Sequence, residues 1–353
     1  MKTNLDVFTN AATGPRLWLA CGIAAVLALA GSPSSADESD AALSVMTWNV
    51  EWFYDEYRGD NHSDLSKKQS APDRDRWEWK RDAVAEAIAE VRPTVVALQE
   101  VENRRVLWYL TRALDRNHRK KYREYQIDGT DHYTEQDVGL LCHESADVVA
   151  ASQLHQSKSM RATERFYNLS KHLLATVEVP VGDTTEQVHI LILHLRARAE
   201  AEDLRIRQAR LAHLWIADRV AAGEHVIVLG DMNTEEDGSQ TRPESDVAAL
   251  CGWDTATKDD DLIDLHDRLP ASGRRTHLLP GKQFDRILVT PSLIEDEPGV
   301  PDLVFDEITV RSDVNIRGDL DTQSEHWDGY WSMKDQDRDI SDHHPLVATF
   351  RVK

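Results

Sequence analysis

Six predicted strands carry carboxylate, amide or imidazole side chains at one end. These side chains are Asn49 with Glu51, Glu100, His194, Asp231 with Asn233, Asp285, and Asp342 with His343. Any one of them alone is more often a cap, a turn or a satisfied surface group. Because α/β proteins place chemistry at strand ends and on the loops that follow, six such ends indicate one site assembled from distant segments.

The types of these side chains predict the chemistry. Carboxylates and amides without a cysteine ligand suit a hard cation such as Mg²⁺, Mn²⁺ or Ca²⁺ rather than a closed zinc site. Imidazoles beside that cation can transfer protons near neutral pH. The chain has no GxSxG, HExxH or Walker lysine motif. We therefore expect hydrolysis of a phosphoester, in which the cation offsets phosphate charge and a deprotonated water attacks in line.

The stretch from Val226 to Thr234 shows the pattern most clearly. Val226–Leu229 is a run of four apolar residues, three of them β-branched, which predicts a strand buried on both faces. The strand stops at Gly230, and Asp231 and Asn233 lie on the connection that follows. This connection is expected to hold functional side chains.

The remaining elements alternate in the first half of the chain. Helices are predicted over about 75–91, 102–114 and 199–220, and a polar surface loop over 54–75. Further strands are predicted at 42–50, 94–98, 138–141, 148–151, 173–179, 188–193, 287–289, 303–310 and 345–352. The strands at 138–141 and 148–151 are expected to pair with each other. Strand pairs that interrupt the alternation favour a mixed two-sheet α/β layering over a purely parallel sheet.

The first 36 residues have the pattern of a signal peptide. Lys2 and Arg16 precede an apolar run of 14 residues, Leu17–Ala30, and small residues follow as far as Ala36. The run is short for a membrane span, so cleavage after Ala36 is expected, with an uncleaved anchor as the alternative. Cys21 follows a poor lipobox, which disfavours a lipoprotein. This predicts a secreted or periplasmic protein.

The charge of the chain limits its partners. The formal net charge is −21, and removing residues 1–36, which carry a net charge of +1, leaves −22. Such a protein is not a passive polyanion binder, because nonspecific nucleic-acid affinity comes from Lys and Arg. The segment Arg116–Tyr125 is the densest basic patch and fits either a nucleic-acid contact or a solvated connection. Cys142 and Cys251 could form one disulfide or remain two buried thiols.

Six stretches of the sequence resemble the endonuclease/exonuclease/phosphatase superfamily, which has the deoxyribonuclease-like fold. They are Thr47–Glu51 (TWNVE), Leu98–Asn103 (LQEVEN), His194–Arg198 (HLRAR), Gly230–Asn233 (GDMN), Phe284–Leu288 (FDRIL) and Ser341–Pro345 (SDHHP). They occur in the order of the family and cover essentially all of the chain after residue 36. The chain looks most similar to bacterial secreted, extracellular-nuclease-like members. The resemblance implies a single catalytic domain over 37–353, folded as a four-layered α/β sandwich of two packed mixed β-sheets flanked by helices.

The resemblance also implies roles for the residues. Glu100 would be the principal ligand of Mg²⁺ (or Mn²⁺ or Ca²⁺), helped by Asn49 and Asp342, with Glu51 as a further candidate. His343 would be the general base or hold the attacking water, oriented by Asp285. Asp231 would align or activate the water, and Asn233 would donate a hydrogen bond to the phosphate. His194 would stabilise the pentacovalent state or protonate the leaving oxygen. Arg196 would bind a phosphate oxygen or form a surface salt bridge.

The substrate expected from this resemblance is DNA or RNA, cleaved by a monomer that needs no stable protein partner. A sphingomyelinase-like or other small-phosphodiester hydrolase is the alternative, and a non-hydrolytic phosphate-binding module is the alternative from another class. Phosphoinositides are disfavoured because Asn233-Thr234-Glu235 and Gln283 depart from the motifs of inositol phosphatases. A membrane-active relative would show an apolar hairpin, and the segment 305–333 is polar despite Trp327, Tyr330 and Trp331.

Overall fold

The computed structural model describes residues 41–160, 168–236, 242–296, 299 and 301–353. The predicted signal peptide, 1–36, lies outside the described residues. Residues Asp40–Lys353 belong to one compact unit. No helix in the described part of the chain has the length and apolar character needed to cross a membrane.

Twelve strands in the described ranges form two sheets of six. The strands are β1 Leu43–Phe53, β2 Val95–Val101, β3 Tyr122–Gln126, β4 Asp137–His143, β5 Asp147–Ser152, β6 His172–Val181, β7 Thr184–His194, β8 His225–Asp231, β9 Ile263–Asp264, β10 Asp285–Val289, β11 Leu303–Val310 and β12 Leu346–Val352. The first sheet has the order β11-β12-β1-β2-β4-β3, and the second has the order β5-β6-β7-β8-β10-β9. Each sheet has one parallel pair at its centre, β1 with β2 and β7 with β8, and its other pairs are antiparallel.

Seven α-helices connect or cover these strands within the described ranges. They are α1 Asp64–Gln69, α2 Arg74–Val91, α3 Arg104–His118, α4 His155–Met160, α5 Glu202–Ala221, α6 Asp246–Cys251 and α7 Gln323–Gly329. Side chains fix where the two long helices of the first half begin. Asp73 accepts the Arg76 N–H at the start of α2, and Asn103 accepts the N–H groups of Arg105 and Val106 at the start of α3.

The alternation of side chains along the strands produces four layers. One face of each sheet packs into a shared core that includes Val45, Ala97, Leu140, Ile190, Ile227 and Ile287. The other face of the first sheet packs against α2 and α3, and the other face of the second sheet packs against α5 and α6. The predicted four-layered α/β sandwich of two mixed sheets flanked by helices is therefore confirmed.

The predicted pairing of the strands at 138–141 and 148–151 is wrong. Both strands exist, but β4 pairs with β2 and β3 in the first sheet, whereas β5 pairs with β6 in the second. The chain crosses from one sheet to the other between them. Two short strands separated by a turn carry the same sequence pattern in either arrangement, so only tertiary packing distinguishes them.

Two other segments differ from their sequence interpretation. The predicted loop over 54–75 contains α1 and buries Tyr54, Asp55 and Ser66. The basic segment Arg116–Tyr125 ends α3 and begins β3, where Tyr122 lies opposite His143. This part of β4 lies beside the amino end of β2, because Val95 of β2 pairs with Cys142 of β4. Glu100 lies at the carboxyl end of β2. The basic segment is therefore at the edge of the sheet opposite Glu100.

Cys142 and Cys251 are buried free thiols. Cys142 belongs to the core between the sheets, whereas Cys251 belongs to the layer between the second sheet and its helices. This arrangement corresponds to the second of the two alternatives that the sequence left open.

Candidate active site

The ends of β1 and β2 are bent by a bulge that brings Asn49 and Glu100 together. The pairing of the two strands shifts in register between Asn49 and Phe53. Glu51, Trp52 and Glu100 have φ angles of 46°, 45° and 61°, in the left-handed region, which costs a non-glycine residue roughly 1–2 kcal/mol. Two hydrogen bonds hold the bend, from the Glu51 N–H to Asn49 Oδ1 and from the Trp52 N–H to Glu100 Oε2, both 2.9 Å long. Strain of this kind is typical of functional sites.

Gly230 explains how Asp231 reaches the site. Its φ is 143°, and a Cβ there would lie 1.9 Å from the carbonyl oxygen of Leu193 on β7. Only glycine therefore permits the approach of β8 to β7 at this point. The turn that follows is closed by the Asn233 N–H, which donates to Asp231 Oδ1 over 2.8 Å.

Asp231 lies at the centre of the cluster. Its Oδ2 accepts a 2.9 Å hydrogen bond from Asn49 Nδ2 and lies 3.5 Å from His194 Nε2 and 3.7 Å from His343 Nε2. Burial alone would raise the pKa of Asp231, but the charge of His343 and the hydrogen bonds from Asn49 and the Asn233 N–H lower the pKa below its ordinary value. Asp231 is therefore an ionised carboxylate in a dry environment.

His343 and Asp285 form a buried pair. The His343 Nδ1 lies 2.9 Å from Asp285 Oδ2, and both side chains are almost fully buried. Asp285 is the direct cross-strand partner of Asp231 in the β8–β10 ladder. Burial lowers the pKa of His343, but the charges of Asp285 and Asp231 outweigh burial and raise the pKa well above its usual value. The ring is thus held by one carboxylate through Nδ1 and faces another through Nε2.

The two other histidines and the lysine of the site have different environments. Burial and the charge of Lys171 lower the pKa of His194 to about 3, so this imidazole is neutral. Lys171 Nζ lies 3.3 Å from Asp131 and 2.9 Å from Gln136 Oε1. His277 Nε2 lies 3.5 Å from Asp342 Oδ2, and its ring centroid is 4.5 Å from that of His343.

Sequence reasoning missed Lys171 and His277. Lys171 directly precedes β6, so a search that included the residues before strands would have found it. His277 pairs through an isolated bridge with His343 in a segment with no strand pattern. No local signal in the sequence indicates this contact.

Glu100 and Asp342 offer the carboxylate oxygens that a hard cation prefers, whereas Asn49 turns its amide nitrogen towards Glu100. Loss of hydration and the negative charge of Asp342 raise the pKa of Glu100 to about 7, which a bound cation would reverse. Asn49 Nδ2 donates to Glu100 Oε1 over 3.2 Å, so in this orientation the amide bridges Glu100 and Asp231. Two groups of residues have donor atoms within 4.8 Å of one another, and Glu100 is in neither: His277, Asp342 and His343, and Asp231, Asp285 and His343.

A cleft of ≈ 470 Å³ connects these residues. Its walls include Glu100, His194, Asp231, Asn233, Asp342 and His343, together with Lys171, Arg196, Arg198 and His277. Arg196 and Arg198 are exposed. Arg196 lines the cleft, where its guanidinium could contact a phosphate oxygen, and Arg198 lies 3.8 Å from Glu200. The cleft thus joins an acidic floor to cationic groups on its walls.

Residues 46–343 match the sequence model of the Endonuclease/Exonuclease/phosphatase family. The chain belongs to this family. It is accordingly an enzyme, a phosphoric ester hydrolase, whose matched region includes every predicted site residue from Asn49 to His343. No match was found among curated proteins.

Solved structures of the family have the same fold at low sequence identity. The catalytic domain of human Nocturnin with bound sulfate is 16% identical with a TM-score of 0.53, over 88% of this chain and 93% of that one. The D. rerio TDP2 complexed with single strand DNA product is 17% identical with a TM-score of 0.53, over 88% and 98%. A family protein from Bacteroides thetaiotaomicron is 15% identical with a TM-score of 0.56, over 87% and 97%.

Proposed function

We propose that this enzyme is a secreted, divalent-metal-dependent phosphodiesterase that hydrolyses DNA or RNA. The observation that supports the proposal most directly is the meeting of Asp231 with His194 and His343 within 3.7 Å, at the floor of a cleft with cationic walls. Glu100 and Asp342 would hold the cation, and Asn49 would orient Glu100. Mg²⁺ is the proposed ion, with Mn²⁺ and Ca²⁺ as alternatives, because the carboxylate oxygens are hard ligands.

In the proposed mechanism the ionised Asp231 carboxylate receives the proton of the attacking water, beside His343, whose raised pKa keeps the ring protonated. Asp285 fixes the His343 ring through Nδ1, so that Nε2 stays directed at Asp231. Neutral His194 is suited to hydrogen-bond the phosphate as charge develops on it, and Asn233 lines the same cleft. The bound cation would supply charge neutralisation on the phosphate oxygens and ease deprotonation of the water.

The substrate class is supported by the walls of the cleft. Lys171, Arg196 and Arg198 provide local positive charge in a chain with a formal net charge of −21. Such local groups are what a polyphosphate needs, because the acidic remainder of the surface repels it. The TDP2 relative complexed with single strand DNA product provides a precedent in the same fold.

A substrate panel tests the proposal. The mature protein is incubated with supercoiled plasmid, RNA, sphingomyelin vesicles and bis(p-nitrophenyl) phosphate, with Mg²⁺ or with EDTA. We expect cleavage of plasmid or RNA that EDTA abolishes, and no cleavage by a His343→Ala preparation, which controls for contaminating nucleases. Hydrolysis of sphingomyelin alone would replace the proposal with the sphingomyelinase-like alternative. Binding of phosphate without any turnover would identify a non-hydrolytic module.

The secreted location rests on residues 1–36. We propose cleavage after Ala36, which would release a chain that begins at Asp37. Full-length protein with a C-terminal tag is expressed in a bacterium, and the N-terminus of the periplasmic or secreted product is sequenced. A product that keeps Met1 and stays in the cytoplasm would contradict this location.

A further inference from the structure

A second histidine–carboxylate cluster lies behind the cation side of the cleft, and its centre is His326. The side chain of His326 is fully buried. Its Nε2 lies 2.6 Å from Glu51 Oε2, and its Nδ1 lies 2.8 Å from Asp321 Oδ2. Both ring nitrogens therefore face a carboxylate, so the ring cannot turn without losing one of them.

The charges of the neighbours determine the state of this imidazole. Burial lowers the pKa of His326, but Glu51 and Asp321 outweigh burial and raise the pKa to about 10. The arrangement is an imidazolium between two carboxylates. Asp321 is itself held in place, because its Oδ2 accepts the Asp339 N–H over 3.2 Å. A buried ion pair of this kind leaves an uncompensated charge when one partner is removed.

Glu51 connects His326 to the residues of the cation site. Glu51 and Trp52 form the strained bend after Asn49, with φ angles of 46° and 45°. Their N–H groups are the donors that bind Asn49 Oδ1 and Glu100 Oε2. A bend that is unfavourable by itself persists only if its surroundings hold it. The Glu51–His326 pair is the contact that anchors the Glu51 side chain.

The same short helix reaches the opposite side of the cation site. The residue after His326 is Trp327, whose Nε1 donates to Asp342 Oδ2 over 3.1 Å. Helix α7 begins with a capping box between Thr322 and Glu325, which fixes its first turn. Two consecutive residues of α7 therefore contact the Glu51 and Asp342 carboxylates.

We propose that His326 is a positioning residue for the cation site. It holds Glu51, and through Glu51 it holds the bend whose N–H groups orient Asn49 and Glu100. The inference rests on the cation-binding part of the proposed function, and it does not depend on which phosphodiester is the substrate. Residues that hold a metal ligand in place typically change metal affinity by about 10–100-fold when they are removed.

The test measures Mn²⁺ binding directly, from the EPR signal of free Mn²⁺, with no substrate present. The variants are His326→Gln, Glu51→Gln and the double variant. We expect His326→Gln to weaken Mn²⁺ binding by about 10-fold or more, and to have no further effect when Glu51 is already Gln. The matched control is His213→Gln, since His213 is another buried histidine that faces a carboxylate, Asp260, outside the cleft. This control should keep the Mn²⁺ affinity of the wild type.

Three results would overturn the inference. The first is that folded His326→Gln binds Mn²⁺ with wild-type affinity. The second is that His326→Gln lowers the affinity equally with Glu51 present and with Glu51→Gln. The third is that His213→Gln lowers the affinity as much as His326→Gln does. If His326→Gln does not fold, Asp321→Asn replaces it, because this variant keeps the ring and weakens only its outer partner. It should lower Mn²⁺ affinity less, and only when Glu51 is present; unchanged affinity would again overturn the inference. A wild-type protein that binds Mn²⁺ but cleaves no phosphodiester would refute the proposed function and leave this inference intact.

Discussion

Three buried imidazoles, two in the cleft and one behind it, differ in charge because their surroundings differ. Burial and the charge of Lys171 lower the pKa of His194 to about 3. His343 is between Asp285 and Asp231, and its pKa is raised. His326 is between Glu51 and Asp321, and its pKa is raised to about 10. Environments that separate the pKa values of like groups are how one site performs different proton tasks.

Replacing His343 tests the proton-handling pair. We expect His343→Ala to lower the rate by at least about 100-fold, the lower range for removing an acid–base group. Initial rates on bis(p-nitrophenyl) phosphate at saturating Mn²⁺ measure the loss. The control is His189→Ala, which removes a buried histidine that bonds Thr176 away from the cleft. A His343→Ala enzyme that keeps its full rate would show that Asp231 acts without this partner.

Residue types at strand ends were predictable, but their surroundings were not. Asn49, His194 and Asp231 follow apolar strands, and the period of the strand places each of them at the sheet edge. His326 lies in a polar segment without a repeating pattern, and it reaches Glu51 across 275 positions of the chain. A contact of this range depends on tertiary packing, and so do the pKa values that follow from it.

At the scale of elements, the approach of β8 to β7 at Gly230 fixes the position of Asp231. We expect Gly230→Ala to destabilise the protein by more than the roughly 1–3 kcal/mol typical of overpacking, because its Cβ would meet a backbone oxygen at 1.9 Å. Urea unfolding measures this change. Gly182→Ala is the matched control, since Gly182 also has a positive φ but has open space around it. Equal destabilisation in the two variants would mean that the contact with Leu193 is unimportant.

The turn between β2 and α3 contains Glu102, a buried carboxyl group whose ionisation destabilises the folded state. Burial and the charge of Asp55 raise the pKa of Glu102 to about 8. In the unfolded chain the pKa is near 4.3, so between these values the folded state binds the extra proton. Stability therefore falls as the pH rises from about 4.5 to 8. We expect Glu102→Gln to reduce this fall and to be more stable than the wild type at pH 8.

Thermal unfolding at several pH values measures the effect of Glu102→Gln. The exposed Glu200, changed to Gln, is the control, and its curve should follow that of the wild type. Parallel pH curves for Glu102→Gln and the wild type would show that Glu102 is not the group responsible.

The elements themselves were largely predictable where their period was strong. The helix predicted over 75–91 corresponds to α2, and the strand at 303–310 corresponds to β11. The predictions fail where the local sequence pattern does not determine which strand a given strand pairs with. The strands β4 and β5 follow each other in sequence yet belong to different sheets, and β5 is mostly exposed, so its own pattern does not show which sheet it joins. The two-residue strand β9 is too short to give any periodic signal.

At the scale of the whole molecule, the site exists only where the two sheets meet. The first sheet supplies Asn49 and Glu100, and the second supplies Asp231 and Asp285. His343 precedes a strand of the first sheet but bonds Asp285 of the second. Glu100 belongs to β2 and Asp342 precedes β12, both in the first sheet, so the proposed cation would bind beside this junction and only to the folded chain.

Binding to the folded chain alone predicts that a divalent cation raises the melting temperature. A ligand that binds only the folded state stabilises it by about 2.7 kcal/mol at 100 times its dissociation constant, which corresponds to several degrees. We expect this rise for the wild type with Mn²⁺ at pH 8, where Glu100 is mostly ionised because its pKa is about 7. EDTA should remove the rise, and Glu100→Gln should lack it, because an amide cannot replace the negative charge that attracts the cation. Glu200→Gln, which changes an exposed carboxylate, should keep it. If Glu100→Gln gained as many degrees as the wild type, the cation would be bound elsewhere, and Glu100 would not be its ligand.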